Sequence, residues 1–146
     1  MNQIPNDSRE LDLAYRRTDF WVYSPTGWFA IRIGHTSREL EELLSRKGAR
    51  SWAYITACNP KSQELPAEQN AGRMSEFREL LNEAGHHFFE GEGIGLTGTW
   101  PPEASFLILD IDEGSARALA RRYDQHAFVC GDIGESARLM WSESIG

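Results

Sequence analysis

Aromatic and β-branched residues are concentrated in two short stretches near the N-terminus, at residues 20–23 and 28–33. Residues 24–27, with the sequence Ser-Pro-Thr-Gly, separate these stretches and are typical of a turn. This pattern predicts a β-hairpin. The residues before it are mostly polar, which predicts a flexible leader over residues 1–15 and a single domain over residues 16–146.

Three later segments carry apolar residues at helical spacing. The first covers residues 36–47 and opens with Thr36 and Glu39, which have the spacing of a capping box. The second covers residues 66–84 and is followed by a glycine that can end a helix. The third covers residues 112–123 and starts with an aspartate, a favoured N-cap residue. We therefore expect three helices after the hairpin.

Apolar segments between and after these helices predict five more strands, at residues 52–57, 87–90, 105–111, 127–130 and 138–141. The first four strands and the last two helices follow each other in the order βαββαβ. The commonest arrangement of that order is a ferredoxin-like α+β sandwich, with strand order 4-1-3-2 and both helices on one face. The hairpin and first helix are additions expected at the sheet edge or over the open face, and the last strand is a short C-terminal addition.

In this arrangement the first two strands of the unit end at the edge of the sheet where the last two begin. Polar residues are frequent in the connecting segments at that edge. The long helix contributes two more, because Asn70 lies on its buried stripe and Arg73 borders that stripe. The residues predicted to line a ligand site here are Asn59, Ser62, Asn70, Arg73, Trp100 and Glu103.

Two interpretations of this polar group remain open. In the structural one, the group ties loops to the sheet, with Asn59 and Ser62 making turn hydrogen bonds. In the functional one, it surrounds a small polar or anionic ligand, with Arg73 and Glu103 expected to form a bidentate ion pair. Glu103 or Glu92 could act as a general base, but no spacing is diagnostic of catalysis, so the sequence does not decide whether the protein is an enzyme.

Composition excludes several classes of partner. The 146 residues include 15 Lys and Arg against 22 Asp and Glu, and the net charge of -7 disfavours binding to nucleic acid. No apolar run reaches the ~18 residues of a membrane span, and the N-terminus does not resemble a signal peptide. We therefore expect a cytoplasmic protein with neither nucleic-acid nor membrane partners.

An alternative function uses the aromatic hairpin. Trp21, Tyr23, Trp28 and Phe29 could form a partly exposed apolar patch for self-association, for example as a homodimer, or for a partner protein. Packing of these aromatic residues in the core is the simpler expectation.

No cofactor or metal is expected. Residues 93–98 match the string G-x-G-x-x-G, but Trp-Pro-Pro follows at 100–102 where a dinucleotide site needs a helix, so a mobile loop is predicted. His86 and His87 are adjacent and would point to opposite faces of a strand, which prevents joint metal binding. Cys58 and Cys130 are predicted at opposite ends of the sheet, too far apart for a disulfide.

Four short patterns stand in order along the chain: T-A-x-N-P-x-S at 56–62, N-x-x-R at 70–73, W-P-x-E-x-S at 100–105 and Q-x-A-F-V at 125–129. Their combination resembles a bacterial domain-of-unknown-function family, numbered three-two-nine-three, over roughly residues 20–141. The resemblance implies the family's fold and brings no activity with it. Cys58 and His126 stand where the family pattern leads us to expect other residue types.

Overall fold

The structure is a computed structural model and describes residues 8–96 and 100–143. The helices are α1 (Ser8–Arg16), α2 (Arg38–Lys47), α3 (Ala67–Glu83) and α4 (Glu113–Arg122), and a 3-10 turn covers Pro60–Ser62. The strands are β1 (Thr18–Ser24), β2 (Gly27–Ile31), β3 (Ser51–Ile55), β4 (Phe88–Gly95), β5 (Glu103–Leu109), β6 (Ala127–Asp132) and β7 (Arg138–Trp141). The predicted hairpin, the three predicted helices and the five later strands are all present, and the α+β class is confirmed.

The seven strands form one sheet in the order β2-β1-β4-β5-β3-β6-β7, and all pairings between them are antiparallel. Beyond the two edge strands, Ile33 forms a bridge with Ala137, and the N–H of Gly34 donates to the carbonyl oxygen of Ala137 at 2.8 Å. These contacts join the ends of the two edge strands. The sheet is therefore curled, with one concave and one convex face.

Helices cover both faces of the sheet. On the convex face, Phe77 of α3 and Ala120 of α4 belong to one buried cluster with Ile55 and Phe106. On the concave face, Leu44 of α2 lies in a second cluster together with the side chains that alternate with the first along each strand. The N-terminal additions thus take both expected places, since the hairpin extends the sheet beside β4 and α2 covers the open face.

Part of the predicted leader is helical in the structure. Residues 8–15 fall within the predicted leader, yet they belong to α1, while residues 1–7 lie outside the described part. Leu11 is buried, and Tyr15, one turn later, packs edge-on against Trp141 with ring centroids 6.2 Å apart. A stripe of two residues in a short polar helix is too weak a signal to separate from a leader.

Two local predictions are corrected. Ser37, and not Thr36, is the N-cap of α2, because its side chain accepts a hydrogen bond from Leu40 N at 3.2 Å. Gly93 and Gly95 are not loop residues but the last part of β4, where they pair with Phe20 and Thr18 of β1. Residues 97–98 of the same string lie outside the described residues.

Three further findings concern disulfides, metal ligands and membrane-spanning helices. Both cysteines are buried and free. Over residues 8–96 and 100–143, no group of three or more His, Cys, Asp or Glu could hold a metal ion. No helix in the same part of the chain is long and apolar enough to cross a membrane.

Gly91 should be irreplaceable because a Cβ there would overlap the carbonyl oxygen of Trp21 and lie 2.9 Å from the Tyr54 hydroxyl. We expect Gly91→Ala to lower the free energy of unfolding by about 3 kcal/mol or more, as overpacking against backbone cannot relax cheaply. Gly72→Ala is the matched control, since a Cβ at this position in α3 meets nothing within 4 Å. It should be stabilising by about 0.5–1 kcal/mol. Urea unfolding of both variants checks this, and similar midpoints would contradict it.

Candidate functional site

The loop after β3 adopts an unusual backbone where it reaches the polar edge of the sheet. Asn59, Lys61 and Ser62 have positive φ angles of 50°, 52° and 59°. Non-glycine residues rarely adopt this region, and it persists only where neighbouring contacts hold it. Here Lys61 N donates to Asp124 O at 2.7 Å, and Gln125 Nε2 donates to Cys58 O at 2.9 Å. The loop is therefore tied to the segment that leads into β6, as the predicted meeting of strand ends requires.

Asn59 and Asn70 form the centre of the polar group. Asn59 is 4% exposed; its backbone N–H donates to Asn70 Oδ1 at 2.9 Å, and its own Oδ1 accepts from Asn70 Nδ2 at 2.8 Å. The same Oδ1 also accepts from Leu65 N at 2.9 Å. The two amides thus satisfy each other and fix the loop against α3. This part of the group fits the structural interpretation.

Arg73 does not form the predicted ion pair with Glu103. Its Nε donates to Ala57 O at 2.5 Å and its Nη2 donates to Tyr123 O at 2.8 Å, while the guanidinium also lies over the Tyr123 ring. Both acceptors are loop carbonyls that face α3, where an arginine is a natural donor. Arg73 therefore joins the two loops and leaves Glu103 without its predicted cation.

Glu103 begins β5 and is half-buried at the same edge. Its Oε2 accepts from Asn59 Nδ2 at 2.7 Å and from Trp100 Nε1 at 3.0 Å. Burial raises the pKa of the Glu103 carboxyl above its ordinary value of 4.5, and the bonds from Asn59 and Trp100 lower it in part. Within the described chain, no hydrogen bond reaches the other oxygen, Oε1. Glu103 is thus a desolvated carboxyl held in place with one oxygen uncommitted.

A cavity of about 360 Å³ lies beside Glu103, between α1 and the concave face of the sheet. We call it the α1 cavity. Its lining includes Tyr15, Phe20, Tyr54, Trp100, Glu103 and Phe128. Burial raises the pKa of the Tyr15 phenol, and the charge of Glu103, which lines the same cavity, raises it further. The sequence does not single out Tyr15, because the polar residues around it predict a leader over residues 1–15.

A second, more open depression of about 540 Å³ lies on the other side of the polar group, along α3, and is called the α3 cleft. Asn59, Asn70 and Glu92 line this cleft, whereas Trp100 and Glu103 line the α1 cavity. The hydrogen bond between Asn59 and Glu103 connects the two linings. Four of the six predicted site residues, Asn59, Asn70, Trp100 and Glu103, are therefore joined by side-chain hydrogen bonds, but they do not face one common space.

The other two predicted residues, Arg73 and Ser62, belong to neither lining. Arg73 donates hydrogen bonds to the backbones of two loops, at Ala57 and Tyr123. Ser62 is half-buried at the end of the 3-10 turn, where its backbone N–H donates to Asn59 O at 3.0 Å. Both residues hold the loop in its positive-φ conformation and so position Asn59.

Comparison with known proteins gives one positive result. A family model described as "Protein of unknown function (DUF3293)" matches residues 55–128, which run from the end of β3 into β6 and include all six predicted site residues. Neither the curated proteins nor the solved structures yielded a match.

Loss of the Asn70 side chain should destabilise the fold. In Asn70→Ala, Asn59 keeps a buried backbone N–H without its acceptor, so we expect the free energy of unfolding to fall by about 1–3 kcal/mol. The preceding residue Gln69 is exposed on the same helix, and Gln69→Ala should change stability by less than about 0.5 kcal/mol. Chemical denaturation measures both, and equal effects would show that the amide pair contributes nothing specific.

Replacement of Glu103 should change how stability depends on pH. A carboxyl with a higher pKa in the folded than in the unfolded chain loses stability as pH rises above its ordinary value of 4.5. Glu103→Gln removes this loss, and its side-chain oxygen can still accept from Asn59 and Trp100. We expect the variant to melt above the wild type near about pH 8 and the difference to close toward about pH 4.

Differential scanning calorimetry across this pH range tests the prediction. Glu92→Gln is the control for the loss of one negative charge, since Glu92 is a half-buried carboxyl that accepts a bond from Tyr23 instead. Parallel stability profiles for the wild type and Glu103→Gln would show that Glu103 is not destabilised by burial.

Proposed function

The chain belongs to the DUF3293 family, and we propose that it binds a small polar ligand in the α1 cavity, at one end of the sheet. One observation carries this proposal: the half-buried carboxyl of Glu103 lines the cavity with Oε2 bonded and Oε1 uncommitted. Partial burial makes a hydrogen bond to this carboxyl stronger than one in bulk water. A ligand with a hydrogen-bond donor can supply such a bond to Oε1.

The size and lining of the cavity support this proposal. A volume of about 360 Å³ falls within the range of ordinary small-molecule sites, roughly 300–1,000 Å³. Aromatic side chains supply most of the apolar wall, and Glu103 supplies a fixed polar group, which is the usual composition of such sites. Asn59 and Trp100 hold the carboxyl, so that its orientation does not have to be fixed when the ligand binds.

The roles of the predicted site residues follow from their positions. Glu103 and Trp100 contact the ligand in this proposal, and Asn59 positions Glu103. Asn70, Arg73 and Ser62 hold the loop that carries Asn59. An anionic ligand is less favoured than a polar one, because Arg73, the cation expected to bind it, donates to Ala57 and Tyr123 instead.

We propose two further features, a ferredoxin-like arrangement of the βαββαβ unit and a cytoplasmic location. The strand order β6-β3-β5-β4 within the βαββαβ unit supports a ferredoxin-like arrangement, with α3 and α4 together on the convex face. A cytoplasmic location is supported by the two buried, unpaired cysteines, since thiols persist in reducing compartments.

Self-association through the hairpin remains the second candidate. Trp28 is 71% exposed and packs on Tyr23 with ring centroids 4.5 Å apart, on the edge strand β2. Large exposed aromatic groups on an edge strand favour contact with another chain. Phe29, in contrast, is a core residue, as the simpler expectation for these aromatics required.

Filling the cavity tests the first proposal. Ala14 is exposed on α1 and lines the cavity, so Ala14→Trp should block it and weaken binding of any ligand that occupies it by about tenfold or more. The matched control is Ala118→Trp, at an exposed alanine of α4. Titration of the labelled full-length chain with a panel of polar metabolites, followed by NMR at the Trp100 indole N–H, measures the affinities.

Equal affinity of the wild type and Ala14→Trp for every binding metabolite would reject the α1 cavity as the site. The second candidate is tested separately, because Trp28→Ala should abolish any dimer seen by sedimentation without changing ligand binding. A dimer that survives this substitution would exclude the hairpin patch as its interface.

A further inference from the structure

We infer that the α1 cavity selects organic cations, binding an ammonium or guanidinium N–H on the uncommitted oxygen of Glu103. This inference rests on the proposed function and names its ligand class. It follows from which lining groups still have hydrogen-bonding capacity, from the charges of the lining and from its aromatic content.

Most side-chain donors that line the cavity are already used by acceptors of the described residues, the exceptions being the Tyr15 phenol and the exposed Arg17 guanidinium. Each of the others donates to a backbone carbonyl or to Glu103 itself, at distances of 2.6–3.1 Å. These donors are Thr18 to Ala14 O, Tyr54 to Trp21 O, Thr56 to Ala104 O, Ser105 to Glu103 O, Trp100 to Glu103 Oε2, and Gln125 to Cys58 O and Tyr123 O. A ligand that brings only acceptors therefore has to break an internal bond to be recognised by these groups.

Acceptors, in contrast, remain available. In the described part of the chain, Glu103 Oε1 receives no hydrogen bond, and the Gln125 amide uses its Nε2 and leaves its Oε1 without a donor. Both side chains line the cavity. The lining thus offers two acceptors, one of them a carboxyl oxygen, to a ligand that brings N–H groups.

The charges of the lining favour the same class. Glu10 and Glu103 contribute two carboxyls, and Arg17 contributes one cation from an exposed position at the end of α1. Glu103 is the more buried of the two acids, so its interaction with a ligand charge is the less screened by water. The formal net charge of -7 adds a weak attraction of the whole chain for cations.

The aromatic residues of the lining also suit an organic cation. Tyr15, Phe20, Tyr54, Trp100 and Phe128 surround the space beside Glu103. Aromatic rings attract cations through their electron-rich faces, and a carboxyl among aromatic rings is a common way to hold an organic ammonium group. A metal ion is a poorer fit because a hard cation needs several oxygen ligands, and the described residues contain no such cluster.

Three probes of nearly equal size separate charge from shape: benzylammonium, benzyl alcohol and benzoate. Each is titrated near neutral pH into the labelled full-length chain, and affinity is followed at Trp100 and Tyr15. We expect benzylammonium to bind about tenfold or more tightly than either of the others, because a hydrogen bond to a charged group is worth at least that factor. The Ala14→Trp variant verifies that each response comes from the cavity.

Two conservative substitutions attribute the preference to one carboxyl. Glu103→Gln should reduce the affinity for benzylammonium by about tenfold and bring it close to that of benzyl alcohol. Glu92→Gln removes the same charge from the α3 cleft and should leave the preference intact. An equal loss in both variants would show a general charge effect and overturn the assignment to Glu103.

The outcomes also separate this inference from the proposed function. If benzoate or benzyl alcohol binds in the cavity as tightly as benzylammonium, the cation inference is wrong while ligand binding at the α1 cavity stands. If all three probes leave the cavity resonances unchanged at millimolar concentration, both proposals are overturned.

Discussion

Gly91 leaves space for the carbonyl oxygen of Trp21 to accept a hydrogen bond from the Tyr54 hydroxyl at 2.6 Å, and the position of β1 beside β4 depends on this contact. A side chain at Gly91 would push the two strands apart. Their pairing attaches the hairpin to the rest of the sheet and lets Ile33 reach Ala137 at the other edge. It also places α1, which ends just before β1, across the concave face where it closes the α1 cavity.

Strand direction then determines which residues meet at the mouth of that cavity. β3 ends where β5 and β6 begin, so Asn59 can bond to Glu103 across 44 positions of sequence. Most of the polar group is internally satisfied, and Asn70 and Arg73 serve to hold a loop that is costly to form. The structural interpretation therefore describes the amides and Arg73, which build the frame, whereas the proposed function involves Glu103, which lines the α1 cavity.

The sequence predicts the strands, three of the helices and the shared edge, because apolar periodicity and chain direction are properties of long segments. It does not predict the partners of Arg73. Those partners are backbone carbonyls of two loops, at Ala57 and Tyr123, and no spacing of residue types encodes where a loop carbonyl points. Nor does it predict α1, whose few apolar residues become significant only once Trp141 and the concave face provide a surface for Tyr15.

Arg73 donates its hydrogen bonds to two backbone carbonyls, and this leaves Glu103 available to another partner. An arginine that paired with this carboxyl would neutralise it and fill both of its oxygens, leaving a cavity without a preference for charge. Because Arg73 donates to Ala57 and Tyr123, the burial that raises the pKa of Glu103 is opposed only in part, by the bonds from Asn59 and Trp100. A cationic ligand would offset the remaining cost of burying the charged carboxyl. In the proposed function, the geometry that keeps Arg73 away from Glu103 therefore favours a ligand of positive charge, since such a ligand offsets part of the cost of desolvating the carboxylate.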